Sequence, residues 1–230
     1  MLATLPFLGY ILEGLTITIG ATLVGFAGAM LIGATLATLI SGSNAFLNTA
    51  ATGYVTVFRA LPELLFVFIV YYGLDIAMRA FAARIGLSSL EISPFVAVAI
   101  ALAVQFGAYC AEIFGDARRA IPVGLIEAGE AIGLSDSRVR TRIVLPLMFI
   151  NATPALGNIF LVVLKVSALA SVIGLEEVTR RAKVVAGATK EPFGAFAVAA
   201  ACFLVVTAIA TALQHYLERR ANFGRSAVKS

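Results

Sequence analysis

Arg59, Glu63 and Lys165 are charged residues set inside otherwise apolar stretches, and they are where chemistry in this chain has to be sought first. A charge in such a run rarely faces hydrocarbon; it pairs, lines a cavity or reaches an interface. Arg59 and Glu63 stand four residues apart, on one helical face if the intervening Pro62 does not break the turn. That spacing supports an internal ion pair; a solute-facing role for Glu63 and snorkelling to an interface are the other readings. Lys165, within LVVLKVSAL, requires a carboxylate, a carbonyl or water, and Glu112 closes another apolar stretch. Catalytic patterns do not occur: there is no phosphate-cradling glycine loop, no His/Cys metal spacing and no acid pair in a catalytic frame. Cys110 and Cys202 are isolated among apolar residues, where cysteine behaves as a small hydrophobe. His215 closes the last apolar run and suits an interfacial or capping role better than metal binding.

The elements that must position these groups are membrane helices. The 230 residues are 60% apolar and only 13% charged, with a mean hydropathy of +0.98. Soluble domains carry about 25% charge, so a water-facing shell is lacking. About five spans are expected, near 14–40, 52–78, 95–113, 149–175 and 193–213. In the first, Gly25, Ala29 and Gly33 share a face that lets another helix approach closely. The start of the chain lacks the basic region of a cleaved signal peptide, so the first span is expected to be retained.

Between 115 and 146 the character changes. Asp116, Arg118, Arg119, Glu127, Glu130, Asp136, Arg138, Arg140 and Arg142 cluster there, with Pro122 suited to open a helix and Gly133 to close it. Ser135 can cap a further short helix ending before Pro146. The expectation is two short surface helices folded back on each other. A second charged segment, 176–191, is expected outside the membrane. With five spans the two ends lie on opposite sides, and the basic groups divide nine to six in favour of the side holding 115–146 and the C-terminal tail. That modest bias places this side in the cytoplasm and the N-terminus in the periplasm.

Residues 127–146, EAGEAIGLSDSRVRTRIVLP, resemble the cytoplasmic motif of binding-protein-dependent ABC transporter permeases. Glu127, Ala128, Gly133, Ile143, Leu145 and Pro146 match it, while Gly129 stands where a second alanine is usual. FRALPELLFVFIVYYGL at 58–74 is similar to the family's Arg-Gly-x-Pro segment, with Ala60 in place of glycine. GAYCAEIFGDARRAIPVGLIEAGEAIG at 107–133, KVSALASVIGLEEVTRRA at 165–182 and LERR at 217–220 extend the likeness over essentially the whole chain. Glu63 after Pro62, LEISPF at 90–95 and SALASVIGLEEV resemble most the Q-type permeases of histidine, lysine/arginine/ornithine and opine uptake.

The resemblance implies an all-α permease domain over 1–230, of the ABC type I importer kind, with 115–146 as its cytoplasmic coupling segment. It implies that Glu127, Ala128, Gly129, Gly133, Ile143, Leu145 and Pro146 contact an ATP-binding subunit, with Arg59, Glu63 and Lys165 in a solute pathway or an internal ion pair. The implied partners are a second, similar permease, two ATP-binding subunits and a periplasmic solute-binding protein, with the lipid bilayer around them and no nucleic acid. ATP and Mg would belong to the ATP-binding subunits and no cofactor to this chain, which would not itself be an enzyme. The location implied is a bacterial inner membrane. Basic amino acids or opines are the expected cargo. Other polar amino acids such as glutamine, glutamate or cystine are an alternative, and a secondary transporter outside the ABC class is a more distant one.

Overall fold

The longest apolar stretch forms the longest helix. In the computed structural model, which describes residues 2–86 and 91–222, α1 runs from Leu8 to Ile40, after a 3₁₀ turn at Leu2–Phe7. Its 33 residues begin before the expected position 14 and take in Glu13. At 1.5 Å per residue it is about 50 Å long, well beyond the roughly 30 Å hydrocarbon core. The asparagine after the following turn starts α2 (Ala45–Ala60): the Asn44 Oδ1 accepts from the backbone N–H groups of Phe46 and Leu47 at 3.0 and 3.2 Å.

The second span differs from expectation. Pro62 does break the chain: Leu61 and Pro62 are extended, and α3 restarts at Glu63 and runs to Arg84. A residue preceding proline is pushed out of the helical region, and proline itself fits the entrance of a new helix. Of α2 and α3, only α3 is long and apolar enough to count as a span.

α4 (Pro94–Arg119) is the buried centre of the bundle, with Val98, Leu102, Phe106 and Phe114 almost wholly enclosed. It lies parallel to α1, because the small-residue face expected at 25, 29 and 33 seats it. A Cβ on Gly25 would meet the Leu102 Cβ at 2.7 Å, and one on Gly28 the Ala103 Cβ at 2.6 Å. At Gly33 it would run into Cys110 and, at 2.8 Å, the Ala111 backbone nitrogen. Close backbone approach is what small residues provide where lipid removes the hydrophobic drive between helices.

α5 (Val123–Ala131) follows Pro122 and ends at Gly133, whose φ is +83°. The expected second surface helix is not separate. α6 (Asp136–Val139) continues through a single π turn, Arg140–Val144, directly into α7 (Leu145–Val166). Pro146 therefore lies in the first turn of a membrane helix and does not terminate a surface one. The wide turn has a local cause: proline has no N–H and its ring excludes the carbonyl four residues earlier, so the ladder shifts to Leu145 N–H donating to the Arg140 carbonyl.

A 3₁₀ stretch, Ser167–Ile173, and the left-handed Gly174 lead to α8 (Val178–Thr189), and α9 (Pro192–Asn222) ends the described chain. The charged segment near 176–191 is thus an amphipathic helix. Val178, Ala182 and Val185 of α8 pack against Ile11 of α1 and Ala195, Ala199 and Cys202 of α9. Among the described residues, five helical stretches are long and apolar enough to cross a membrane: Leu8–Ile40, Glu63–Arg84, Pro94–Arg119, Asp136–Ile173 and Pro192–Arg220. The tail residues Arg225 and Lys229 and Leu90 of the LEISPF segment lie outside the described residues.

Candidate functional site

The segment between α4 and α7 is organised by two glycines. Gly133 ends α5 in a Schellman arrangement: Leu134 N–H reaches back to the Gly129 carbonyl at 3.1 Å, and Gly133 N–H to that of Glu130 at 2.9 Å. Gly129, where an alanine is usual, is buried beneath the next element. A Cβ there would stand 2.7 Å from the Ile143 Cδ1 and 3.4 Å from a Val139 methyl. The missing side chain is therefore the socket into which Ile143 packs. Of the sequence-predicted residues, Gly129 and Ile143 are brought together, while Glu127, Ala128, Gly133, Leu145 and Pro146 stay exposed. Val123, Leu125 and Ile132 add exposed apolar side chains to the same short helix and its end. A small helix with apolar and acidic groups facing outward is thus clamped, through the Gly129–Ile143 contact, onto the foot of a membrane helix.

A second polar site surrounds the break at Leu61–Pro62. Arg59 does not pair with Glu63, because the break turns the two apart; its guanidinium binds the Glu112 carboxylate on α4 and lies 5.4 Å from the Tyr109 ring centre. Backbone groups freed by the break are taken up from α4 as well. Gln105 Nε2 donates to the Leu61 carbonyl at 2.8 Å, and Tyr109 Oη to that of Arg59 at 3.5 Å. Glu63 opens α3, where a carboxylate suits the positive end of the helix. Irregular backbone at membrane depth persists only where protein or a polar cavity satisfies it. Lys165 is elsewhere, exposed on the last turn of α7 towards the other end of the bundle, where its charge complements the helix terminus.

A third polar group escaped the sequence reading. Glu177 is completely buried, one residue from the exposed Glu176. Its carboxylate caps α8 by accepting from Arg180 N–H at 2.8 Å. Thr18 faces it across the α1 interface, donating weakly to the carboxylate and accepting from Val178 N–H at 3.4 Å. One turn along α1, the Thr22 hydroxyl lies 3.4 Å from that of Ser167. The available signal was the four-residue spacing of Thr18 and Thr22 in an apolar helix, which places two hydroxyls on one face. Burial pushes the Glu177 carboxyl above its ordinary range, and the hydrogen bonds from Thr179, Arg180 and Thr18 only partly offset this. With the folded value above the unfolded one, stability is fully present below the unfolded pKa and falls as pH rises through the folded one. Glu177→Gln keeps an oxygen to cap α8 but cannot ionise. Melting in detergent from acid to mildly alkaline pH is expected to show a flatter profile for the variant than for wild type; parallel profiles would mean that Glu177 does not titrate in the fold.

Comparison with known proteins accords with this architecture. Residues 29–223 match the family model described as "Binding-protein-dependent transport system inner membrane component". The chain is 35% identical over 218 residues to the histidine/lysine/arginine/ornithine transport system permease protein HisQ of Salmonella typhimurium, covering 95% of this chain and 96% of the relative. It is also 35% identical over 218 residues to the octopine transport system permease protein OccQ of Rhizobium radiobacter, covering 94% and 92% of the two. The crystal structure of an amino acid ABC transporter with histidines superposes with a TM-score of 0.82 at 29% identity, over 95% of this chain and 97% of the other. The MetNI methionine ABC transporter, at 18% identity and a TM-score of 0.74, shares the fold. A matched family model spanning most of the chain, relatives 35% identical over nearly its whole length and a bundle of apolar membrane-length helices lead to one assignment: the chain belongs to the inner membrane components of binding-protein-dependent transport systems, as an ABC importer permease.

Proposed function

We propose that this chain is the Q-type permease subunit of an importer for basic amino acids or opines. The observation that carries the mechanism is the seat of α5: Gly129 admits Ile143, and α6 and the π turn continue without interruption into α7. A rigid helix held this way transmits a displacement, whereas a free loop would absorb it. In this reading Glu127, Ala128, Gly129, Gly133, Ile143, Leu145 and Pro146 form the coupling face and its foot, within the 115–146 segment of one permease domain. Two ATP-binding subunits, which hold ATP and Mg, close on each other and push α5; α7 then tilts, and the second, similar permease moves in concert. A periplasmic binding protein delivers the solute to the opposite face. The broken α2–α3 helix, with Arg59, Glu112 and Glu63 around it, lines the pathway; Lys165 lies nearer the delivering side.

This arrangement puts α5 and the end of α9 in the cytoplasm and the N-terminus in the periplasm, in keeping with the nine-to-six basic bias. A single cysteine at Ser135, which is exposed just beyond Gly133, is expected to react with an impermeant maleimide only in inside-out vesicles. Labelling of intact spheroplasts would invert the topology.

The cargo rests on the named substrates of the relatives, histidine, lysine, arginine, ornithine and octopine. The test is calorimetric binding of an amino-acid and opine panel to the partner solute-binding protein. Preference for octopine or nopaline over arginine makes this an opine importer, and preference for histidine, lysine, arginine or ornithine a basic amino-acid one. Binding of glutamine or glutamate alone would remove the cargo assignment and leave the permease assignment standing.

A further inference from the structure

The outer side of the bundle carries a groove that none of the charged residues discussed above enters. α1, α7 and α9 enclose about 560 Å³ between them, lined almost wholly by apolar side chains such as Leu23, Phe160, Ile209 and Leu213. Its polar exceptions are Thr22, Thr153 and Gln214. Gly157 leaves the space that Gln214 fills, and Gln214 donates to the Pro154 carbonyl at 3.3 Å and to Glu218 at 2.8 Å. These contacts tie α9 to α7 at that end and engage the Glu218 carboxylate.

Along α9 the groove extends from Val206 to Leu217, about 16 Å at 1.5 Å per residue, which is roughly half the hydrocarbon thickness of a bilayer and so the depth of one leaflet. The helical register of the α9 lining, Val206, Ala210, Leu213 and Leu217, next arrives at Arg220. Arg219 and Arg220 are both exposed, and the Arg220 guanidinium lies 5.2 Å from the Tyr216 ring centre. An apolar slot thus runs to Arg220 at the end of a membrane span, where a headgroup would lie, while Arg219 stands on the opposite face of α9.

We infer that this groove holds one acyl chain of an anionic glycerophospholipid whose phosphate sits at Arg220. Charge at the mouth selects the headgroup, and the slot selects an extended chain. The lipid wedges α1 against α9 on the flank of α7, the helix that the α5 lever moves, so its presence biases how α7 can tilt.

The experiment uses the full permease with its partner subunits in vesicles containing phosphatidylglycerol that carries a photoactivatable diazirine on its acyl chain. Label is expected to concentrate on groove peptides containing Leu23, Phe160 and Ile209. Arg220→Gln should lower it about fivefold, the value of one basic group at an anionic surface, whereas Arg219→Gln, on the opposite face, should leave it nearly unchanged. Ala210→Phe, which fills the slot, should remove it. Three results would overturn the proposal. Equal labelling from a phosphatidylcholine probe, insensitive to Arg220→Gln, would mean that any chain enters. Label spread evenly onto exposed Leu204 and Ile76 would mean bulk lipid. An unlabelled groove whose Leu213→Cys variant cross-links to the second permease would mean that a partner helix covers it.

Discussion

Reversing one charge of the Arg59–Glu112 pair is expected to cost more than any single change elsewhere in the span region, and reversing both is expected to restore the fold. The two side chains are 39% and 42% exposed in the isolated chain, yet they flank the irregular backbone at Leu61–Pro62 within a helix bundle that a membrane surrounds. Removing one partner of a fully buried ion pair costs about 3–5 kcal/mol, because the other charge is stranded. Partial exposure puts Arg59→Glu or Glu112→Arg below that range, at about 2 kcal/mol, still more than a tenfold shift in the folded population. The measurement is twofold: thermal stability in detergent, and solute uptake in vesicles with the partner subunits. If the Arg59→Glu/Glu112→Arg double variant recovers both, the pair holds α2 to α4 and does nothing more. Recovery of stability without uptake is the result our reading predicts, since a solute in the pathway meets the charges in a fixed order. Single variants as stable as wild type would mark the contact as a solvated pair, worth at most about 1 kcal/mol.

That Arg59 needs a partner was legible in the sequence; which partner was not. Glu63 was the near candidate, and Pro62 between them decides the matter, since it unwinds the residue before it and separates the two side chains. Glu112 becomes available only through the docking of α2 on α4, a long-range contact without local signature. The small-residue face at 25, 29 and 33 was legible because lipid leaves packing as the main drive for association, so small side chains at helical spacing mark a close contact. Gly133 was legible for a similar reason: a helix that stops needs a left-handed residue, and glycine occupies it without strain. Pro146 misled in the opposite direction. Proline both ends helices and begins them, and only the π turn at Arg140–Val144, which absorbs the lost hydrogen bond, shows that here it lies at the beginning. Glu177 could not be told from Glu176, because neighbouring carboxylates look alike until tertiary packing buries one and leaves the other exposed.

Gly133→Val is expected to uncouple ATP hydrolysis from uptake while leaving the chain in the membrane. At φ +83° a residue with a side chain costs about 1–2 kcal/mol, and a β-branched one more. The strain has an escape: α5 gives up its last turn, losing the Leu134-to-Gly129 and Gly133-to-Glu130 hydrogen bonds. It would then shift away from Ile143 and open the Gly129 socket. Because the spans pack through α1, α4 and α7, and Gly133 touches none of that core, membrane insertion and bundle stability should be unaffected. Uptake should fall about tenfold or more, the change that 1.4 kcal/mol of lever distortion produces, with ATP hydrolysis no longer stimulated by the loaded binding protein. Gly133→Asn is the control, since asparagine tolerates the left-handed region better than other side chains and should retain most activity. Gly129→Leu attacks the same joint from the other side by filling the socket beneath Ile143, and Ile143→Ala in that background should recover part of the loss by making room. If Gly133→Val and Gly129→Leu both transport normally, α5 is not the element through which force reaches α7. If only the rescue fails, the joint exists but depends on the shape of Ile143, and a short hydrophobic contact rather than the backbone path alone carries the stroke.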